Sequence, residues 1–96
     1  MPALTRNGDG GTGHGDFPPR HSTSGSSDVF CNGKAVHRVG DHWAQHCNST
    51  PTCHQGALAS GSRRVFANGL PVGRIGDPVD CGSLVAAGSH NVFAGG

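Results

Sequence analysis

The stretch VFCNGKAVHRVGD at residues 29–41 returns as VFANGLPVGRIGD at residues 65–77. A shortened copy of its first half, VFAGG, occupies residues 92–96, and Arg6, Gly8 and Asp9 repeat its second half. Short repeats of this kind are supersecondary units that need their copies to bury an apolar face. If the two terminal halves pair with each other, they complete a third unit. The sequence therefore predicts a body of approximate threefold symmetry.

Each full repeat contains Asn-Gly between two short β-prone runs. Asn-Gly favours a two-residue type I′ hairpin turn, because both central residues of that turn need positive φ. The pattern predicts strands at residues 29–32, 34–39, 65–68 and 70–75. The Gly-Asp that ends each unit predicts a further turn, in which the carboxylate bonds the backbone. Since no 3.6-residue apolar pattern is present, we expect no long helix.

The composition indicates one small domain with a thin core. The chain has 96 residues, of which 33% are hydrophobic, together with 17 glycines and 6 prolines, so it needs some additional constraint to be stable. The net charge of +1 and a single lysine argue against nucleic acid as a partner. No cleaved signal is evident at the start, so we expect folding in the cytosol. We predict a single domain over residues 1–96 with no extension domain.

Seven histidines and four cysteines offer that constraint. Without a secretory signal the reduced thiol is the default state, so we expect a metal in preference to disulfides. Candidate ligands follow each Gly-Asp, and around a threefold axis the three loops would converge. One ligand from the first loop, two from the middle loop and one from the third would supply the four of a structural zinc site. The candidates are His14, then His42, His46, Cys47, Cys53 and His54, then Cys81.

Other interpretations of these residues remain open. Cys47 and Cys53 could form a disulfide that pins the middle loop. Paired cysteines in place of a metal would indicate a disulfide-stapled secreted or surface binding module. A zinc hydrolase would need only three protein ligands and an exchangeable water. Cys31 aligns with Ala67 and is typical of a small packing residue. Three further histidines, taken singly, are typical of solvated surface groups: His21, His37 and His90.

Catalysis is not expected from this sequence. Four of its six acidic residues lie in or beside the repeated turn, where bonding to the backbone is the simpler explanation; they are Asp9, Asp41, Asp77 and Asp80. A Cys/His nucleophile pair would need a pocket that so small a domain rarely builds. The Gly-rich segment at residues 7–15 lacks the Lys-Ser/Thr of a phosphate-binding loop.

Taken together, the motifs resemble the PAAR-repeat proteins, named for a Pro-Ala-Ala-Arg sequence, which cap the spikes of type VI secretion systems and contractile phage tails. Degenerate copies are PALTR at residues 2–6, AVHR at 35–38 and PVGR at 71–74. Three RxGD segments, two VFxNG segments, DPVDCGS at 77–83 and GSHNVFAGG at 88–96 extend the resemblance over essentially the whole chain. It implies an all-β fold, a small cone of short β-hairpins with pseudo-threefold symmetry, Gly-rich loops and a metal-stapled tip.

The resemblance also implies one structural zinc near the tip, held by three histidines and one cysteine. Matching the local motifs assigns the ligands to His14, His46, His54 and Cys81, and His42 could replace His46. Such a metal would order a narrow cone of Gly-rich loops that has little apolar contact of its own.

The implied function is structural: the chain caps a homotrimeric β-helical spike, one monomer per trimer, and helps it to pierce a target cell envelope. No enzyme activity, small-molecule substrate or nucleic acid is expected. The protein would be made in the bacterial cytoplasm without a signal peptide, act at the tip of a phage tail or secretion spike, and be ejected on firing. The candidate base residues are Val29, Phe30, Val65, Phe66, Val92 and Phe93. Because residues alternate faces along a strand, we expect about half of these six to lie in the core.

Overall fold

The computed structural model describes residues 1–95 and contains six strands of two residues each, paired as three antiparallel hairpins. The strands are β1 (Phe30–Cys31), β2 (Lys34–Ala35), β3 (His46–Cys47), β4 (Cys53–His54), β5 (Phe66–Ala67) and β6 (Leu70–Pro71). Residues 1–95 form no helix, and accordingly none that could cross a membrane. The molecule is elongated, with principal extents of 39 × 24 × 22 Å. The prediction of a small all-β cone is confirmed.

The two Asn-Gly turns have the predicted geometry. Asn32 and Asn68 have φ values of 54° and 55°, and the glycines that follow have 78° and 77°. Positive φ at both central positions is the requirement of a type I′ turn. These turns join β1 to β2 and β5 to β6.

The strands are shorter than predicted, because the chain leaves each hairpin to pair with the next unit. Single bridges link Arg6 with Val36, Arg38 with Val72, and Arg74 with Leu4. Residues next to these bridges form a closed ring of three backbone hydrogen bonds. Thr5 N donates to Gly73 O (2.9 Å), Gly73 N to His37 O (2.9 Å) and His37 N to Thr5 O (3.2 Å). A bridge from Ala3 to Phe93 joins the terminal halves. The third unit is therefore built from both ends of the chain, as the repeat predicted.

An arginine-aspartate pair fixes the turn of every unit. Nε of the arginine donates to Oδ2 of the aspartate at 2.8, 2.9 and 3.0 Å in Arg6–Asp9, Arg38–Asp41 and Arg74–Asp77. In each pair the arginine backbone N–H also donates to Oδ2, at 2.8 Å. The predicted bonding of these aspartates to the backbone is thus confirmed, and that of Asp80, which accepts from Ala57 N at 3.0 Å, likewise. The pairing with arginine was missed.

The same arginines connect each unit to the next. Arg6 Nη1 donates to Asn32 Oδ1 (3.0 Å), Arg38 Nη1 to Asn68 Oδ1 (2.9 Å), and Arg74 Nη1 to Gly95 O (3.1 Å). Burial alone would raise the pKa of Asp9 and Asp41, but the hydrogen bonds from Arg6 and Arg38 outweigh it and hold both pKa values below their usual range. The carboxylates are therefore charged, and the network depends on that charge.

A buried serine before each Val-Phe completes the symmetric part. Its Oγ accepts the backbone N–H of the valine three residues later at 2.9 Å, in Ser26, Ser62 and Ser89. The glycine before each serine is tightly packed: a Cβ on Gly61 would overlap the carbonyl oxygen of Val72. These serines were not predicted, although Gly-Ser precedes every Val-Phe with two residues between them.

Within residues 1–95 the buried apolar side chains form two clusters. The first, which we call the base core, is built from equivalent residues of the three units: Leu4, Val36 and Val72, with Cys31, Ala67 and Ala94. Cys31 is buried and free, as predicted for a packing residue. The second cluster lies nearer the long loops and is not symmetric: Trp43, Leu58, Val79 and Val85, with Val39 and Cys81 packed against it.

His37 is completely buried, so the expectation that it is a solvated surface group is wrong. It takes the same position in its unit as Thr5 and Gly73, and those smaller residues leave room for an imidazole beside the axis. Its Nδ1 is 2.8 Å from Ser24 O, and its ring packs edge-on against Trp43 at 5.1 Å between centroids. Burial lowers the pKa of His37. His21 and His90 are exposed, as expected.

Candidate metal centre and apolar base

Three loops leave the symmetric body after the three Gly-Asp turns. Equivalent hydrogen bonds close them: Gly11 N to Arg20 O (2.8 Å), Trp43 N to Gly56 O (2.9 Å) and Val79 N to Ser83 O (2.8 Å). The first loop contributes one histidine, the middle loop two histidines and the third loop one cysteine, and these four side chains approach one another. The ligand atoms of His14, His46, His54 and Cys81 all lie within 4.8 Å of each other. The structure thus brings together the four residues that the resemblance implied as ligands, and this group could hold a metal ion.

Local structure positions each of the four side chains. His14 begins a tight turn in which His14 and Phe17 exchange backbone hydrogen bonds of 3.1 and 2.8 Å. His46 and His54 are directly opposed in the β3–β4 hairpin, so their side chains lie on the same face. Cys81 is in the shortest loop, where Gly82 with φ of 103° allows the turn.

The spacing of the ligand atoms suits a four-coordinate metal. The three Nε2 atoms lie 3.2 Å (His14–His46), 3.0 Å (His14–His54) and 2.6 Å (His46–His54) apart. Cys81 Sγ lies 3.9 Å from His46 Nε2. Zinc–nitrogen bonds of about 2.0–2.1 Å in a tetrahedron place ligand nitrogens roughly 3.3 Å apart. The three nitrogens therefore come within about 0.7 Å of the spacing in a zinc shell, and no two of the four ligand atoms are more than 4.8 Å apart.

The hydrogen-bonding of the imidazoles leaves Nε2 available for a metal. His46 is buried, and its Nδ1 is 2.8 Å from Pro18 O. A carbonyl only accepts, so Nδ1 carries the proton and Nε2 presents its lone pair. Desolvation, and then the proximity of His46 and His14, lowers the pKa of His54. Both effects favour the neutral imidazole that metal binding requires.

Phe17 covers the histidine cluster and was missed by the sequence analysis. Its ring centroid lies 4.7 Å from that of His14, 5.0 Å from His46 and 4.3 Å from His54. One signal was available: Phe17 is the only one of the four phenylalanines outside the Val-Phe repeats. An aromatic ring against all three imidazoles restricts their orientation and the access of water.

Two alternatives concern other residues of the middle loop. His42 is exposed and outside the ligand group. Cys47 and Cys53 form a disulfide, so the expectation of reduced thiols is wrong for this pair. They are opposed in the β3–β4 register, where directly facing residues are close enough to be bonded. The disulfide and the ligand group share one hairpin, so the disulfide does not exclude a metal.

A second candidate site is the set of exposed apolar side chains that recurs in the three symmetric units, which we call the apolar base. The valines Val29, Val65 and Val92 are 37–38% exposed, and the phenylalanines Phe30, Phe66 and Phe93 are 60, 54 and 50% exposed. The expectation that half of these six lie in the core is wrong. The core position of each unit is the next residue, a small one: Cys31, Ala67 or Ala94. Three equivalent Val-Phe pairs thus present apolar surface to solvent.

Comparison with known proteins gives one family. The family model described as PAAR motif matches residues 12–87, which is most of the chain and contains all four members of the ligand group. No curated protein matches the chain.

Proposed function

The chain belongs to the PAAR-motif family, whose members are spike tips of contractile injection systems, and we propose that it caps a homotrimeric β-helical spike with one monomer per trimer. The observation that carries this proposal is the apolar base, in which three equivalent Val-Phe pairs are exposed. A soluble monomer rarely leaves so regular an apolar patch without a partner.

The symmetry of the apolar base fits a trimeric partner. A homotrimer presents three identical strand ends, and a single chain can meet all three in the same way only if it carries three similar contact units. The ends of an open sheet also have unpaired backbone groups, which another chain can cover by adding strands. The three Val-Phe segments of the apolar base supply both the apolar contact and the extended backbone for that purpose.

In the three loops we propose one structural zinc, held by His14, His46, His54 and Cys81. Mixed nitrogen and sulfur ligands favour zinc over magnesium or calcium. Four protein ligands fill a tetrahedral shell and leave no position for the water that a catalytic zinc needs. We therefore assign the metal a structural role at the tip, and the protein no enzymatic one. The main requirement on the tip is mechanical order during contact with a target envelope.

The proposed setting is a phage tail or a type VI secretion spike. The protein would be synthesised in the bacterial cytoplasm, join the spike there as a single domain, and leave the cell with the spike on firing. A gene for a trimeric spike protein beside this one, within a prophage or a secretion cluster, would identify which of the two machines uses it.

The test is binding to that trimeric spike protein after the apolar base is made acidic. In the triple variant F30D/F66D/F93D, three carboxylates would have to be desolvated on docking, so we expect the complex to be lost while one zinc per chain is retained. Leu84→Asp is the matched control, because Leu84 is 46% exposed but lies outside the Val-Phe repeats. Native mass spectrometry should give one chain of the wild type and of the control per trimer. A folded, zinc-loaded triple variant that still binds would overturn the proposal.

A further inference from the structure

The β3–β4 hairpin has only two cross-strand pairs, and the side chains of each pair can be joined, one pair through a metal and the other through a disulfide. His46 faces His54, and directly beside them Cys47 faces Cys53. The intervening segment is itself compact, since Asn48 N donates to Thr52 O at 3.0 Å. A metal held by the two histidines and a bond between the two cysteines therefore close nearly the same loop of chain.

The disulfide is accessible, and its sulfurs are not part of the ligand group. Both Cys47 and Cys53 are exposed, and neither belongs to the four residues whose ligand atoms converge. Neighbouring residues of a strand point to opposite faces, so the cysteines lie on the face away from the histidines. Dissolved thiols can thus reach the disulfide without passing the metal.

We propose that this disulfide is a thiol-exchange site coupled to the metal centre, so that oxidation of Cys47 and Cys53 strengthens metal binding. The inference rests on the proposed zinc site. The oxidised hairpin already holds His46 opposite His54, so less chain entropy is lost when a metal joins them. Closing a free loop of this length corresponds to roughly 50-fold in an equilibrium constant. The bond from Trp43 N to Gly56 O already restrains the loop ends, so we expect about tenfold.

The exchange itself is a two-electron reaction with a small thiol of the glutathione class. One thiolate attacks a sulfur of the disulfide, forms a mixed disulfide and releases the other cysteine as a thiolate. A second small thiol then displaces the protein sulfur. The protein gains two electrons and two protons as two cysteine thiols, and the small thiols leave as their own disulfide. Since coupling is reciprocal, bound zinc must make this reduction harder by the same factor.

The experiment measures zinc affinity of the full-length protein by competition with a chromogenic chelator. Three proteins are compared: oxidised wild type, the double variant C47S/C53S, and Cys31→Ala, which removes the buried cysteine that aligns with Ala67. We expect the double variant to bind zinc about tenfold more weakly than the wild type, and C31A to be unchanged. A phosphine reductant should weaken the wild type by the same factor and leave the double variant unaffected.

A glutathione redox titration provides the reciprocal measurement. With zinc present, the ratio of squared glutathione to its disulfide needed for half-reduction should rise about tenfold. Equal zinc affinity in oxidised wild type and C47S/C53S would overturn the coupling, as would tighter binding after reduction, which would mean that the freed thiols become ligands. If no protein in the set binds zinc, both the coupling and the proposed zinc are wrong, whereas the spike-binding test of the apolar base is independent of all these outcomes.

Discussion

The symmetric body and the three loops are built on the same three turns, but the body repeats its side chains and the loops do not. In the symmetric body the three Arg-Asp pairs are nearly identical, with Nε–Oδ2 distances of 2.8–3.0 Å. Beyond the same three turns, loops of different length carry different side chains, although their closing hydrogen bonds are equivalent. Repetition suits the proposed partner with three identical chains, whereas the proposed tetrahedral metal needs four ligands that three identical loops could not supply.

The change from symmetric to asymmetric occurs along the axis. In the base core the equivalent residues are similar in size, as with Leu4, Val36 and Val72. At the level of the loops one unit places a tryptophan where the others have Gly11 and Val79. A Cβ on Gly11 would lie 2.9 Å from Trp43 Cζ3, so the glycine is required by the neighbouring tryptophan. One large side chain thus fills the space that three medium ones would share.

The largest effect should come from removing a metal ligand. His46→Ala deletes the most buried ligand, and a quarter of the roughly 10–16 kcal/mol of a structural zinc site is about 3 kcal/mol, or two orders of magnitude in affinity. Chelator competition measures it, with His42→Ala as the control. The rest of the protein should keep its stability in urea, since none of the hydrogen bonds described for the three Arg-Asp pairs involves a member of the ligand group. If H42A lost zinc and H46A kept it, the ligand assignment in the middle loop would be reversed.

Next in size is the loss of charge in one Arg-Asp pair. Asp9→Asn, Asp41→Asn and Asp77→Asn each leave a largely buried arginine without its carboxylate, at a cost of about 2–3 kcal/mol. The free energy of unfolding in urea should fall by similar amounts in all three variants, because the pairs are equivalent. Asp16→Asn, at an exposed position, should change it by less than about 0.5 kcal/mol. Clearly unequal losses would show that the symmetry is geometric but not energetic.

A smaller effect is expected from acid. Burial lowers the pKa of His37 below its unfolded value of 6.5, so the unfolded chain takes up a proton first as the pH falls. The contribution of the buried neutral His37 to the free energy of unfolding is therefore complete above about pH 6.5. Below that pH it declines, by up to about 1.4 kcal/mol per pH unit. His37→Thr, which copies Thr5, should remove this part of the slope in urea titrations from pH 7 to 5. His90→Thr should keep it; an unchanged slope in H37T would assign the acid sensitivity to other groups.

The smallest effect should follow from uncovering the histidines. Phe17→Ala removes the ring that packs on all three imidazoles, and we expect a loss of about 1 kcal/mol in zinc affinity. The rate of zinc transfer to a chelator should rise severalfold, because water and chelator reach the site. The transfer rate of Phe17→Leu should lie between the rates of the wild type and Phe17→Ala. A transfer rate unaffected by both substitutions would mean that Phe17 only packs beside the site.

What the sequence could predict depends on whether the information was local. Asn-Gly determines its own turn, and the repeat spacing predicted the third unit from the two chain ends. The burial of His37 was not predictable in this way, because it depends on Thr5 and Gly73, which are distant in the chain. The exposure of all six Val and Phe residues was missed for a similar reason: the small residue after each pair already fills the core. The Cys47–Cys53 bond follows from a register that only the folded hairpin defines.

The ring of hydrogen bonds through Thr5, His37 and Gly73 has a mechanical consequence. A load along the axis of a cone pushes its walls outward, and a closed ring around the axis acts as a hoop that resists this spreading. The three bonds join all three units in a circuit, so none of the units can be displaced without stretching a bond to each neighbour. Since all three residues are buried, water cannot readily replace a stretched bond, and the hoop is placed where the force of an impact would be shared among the units.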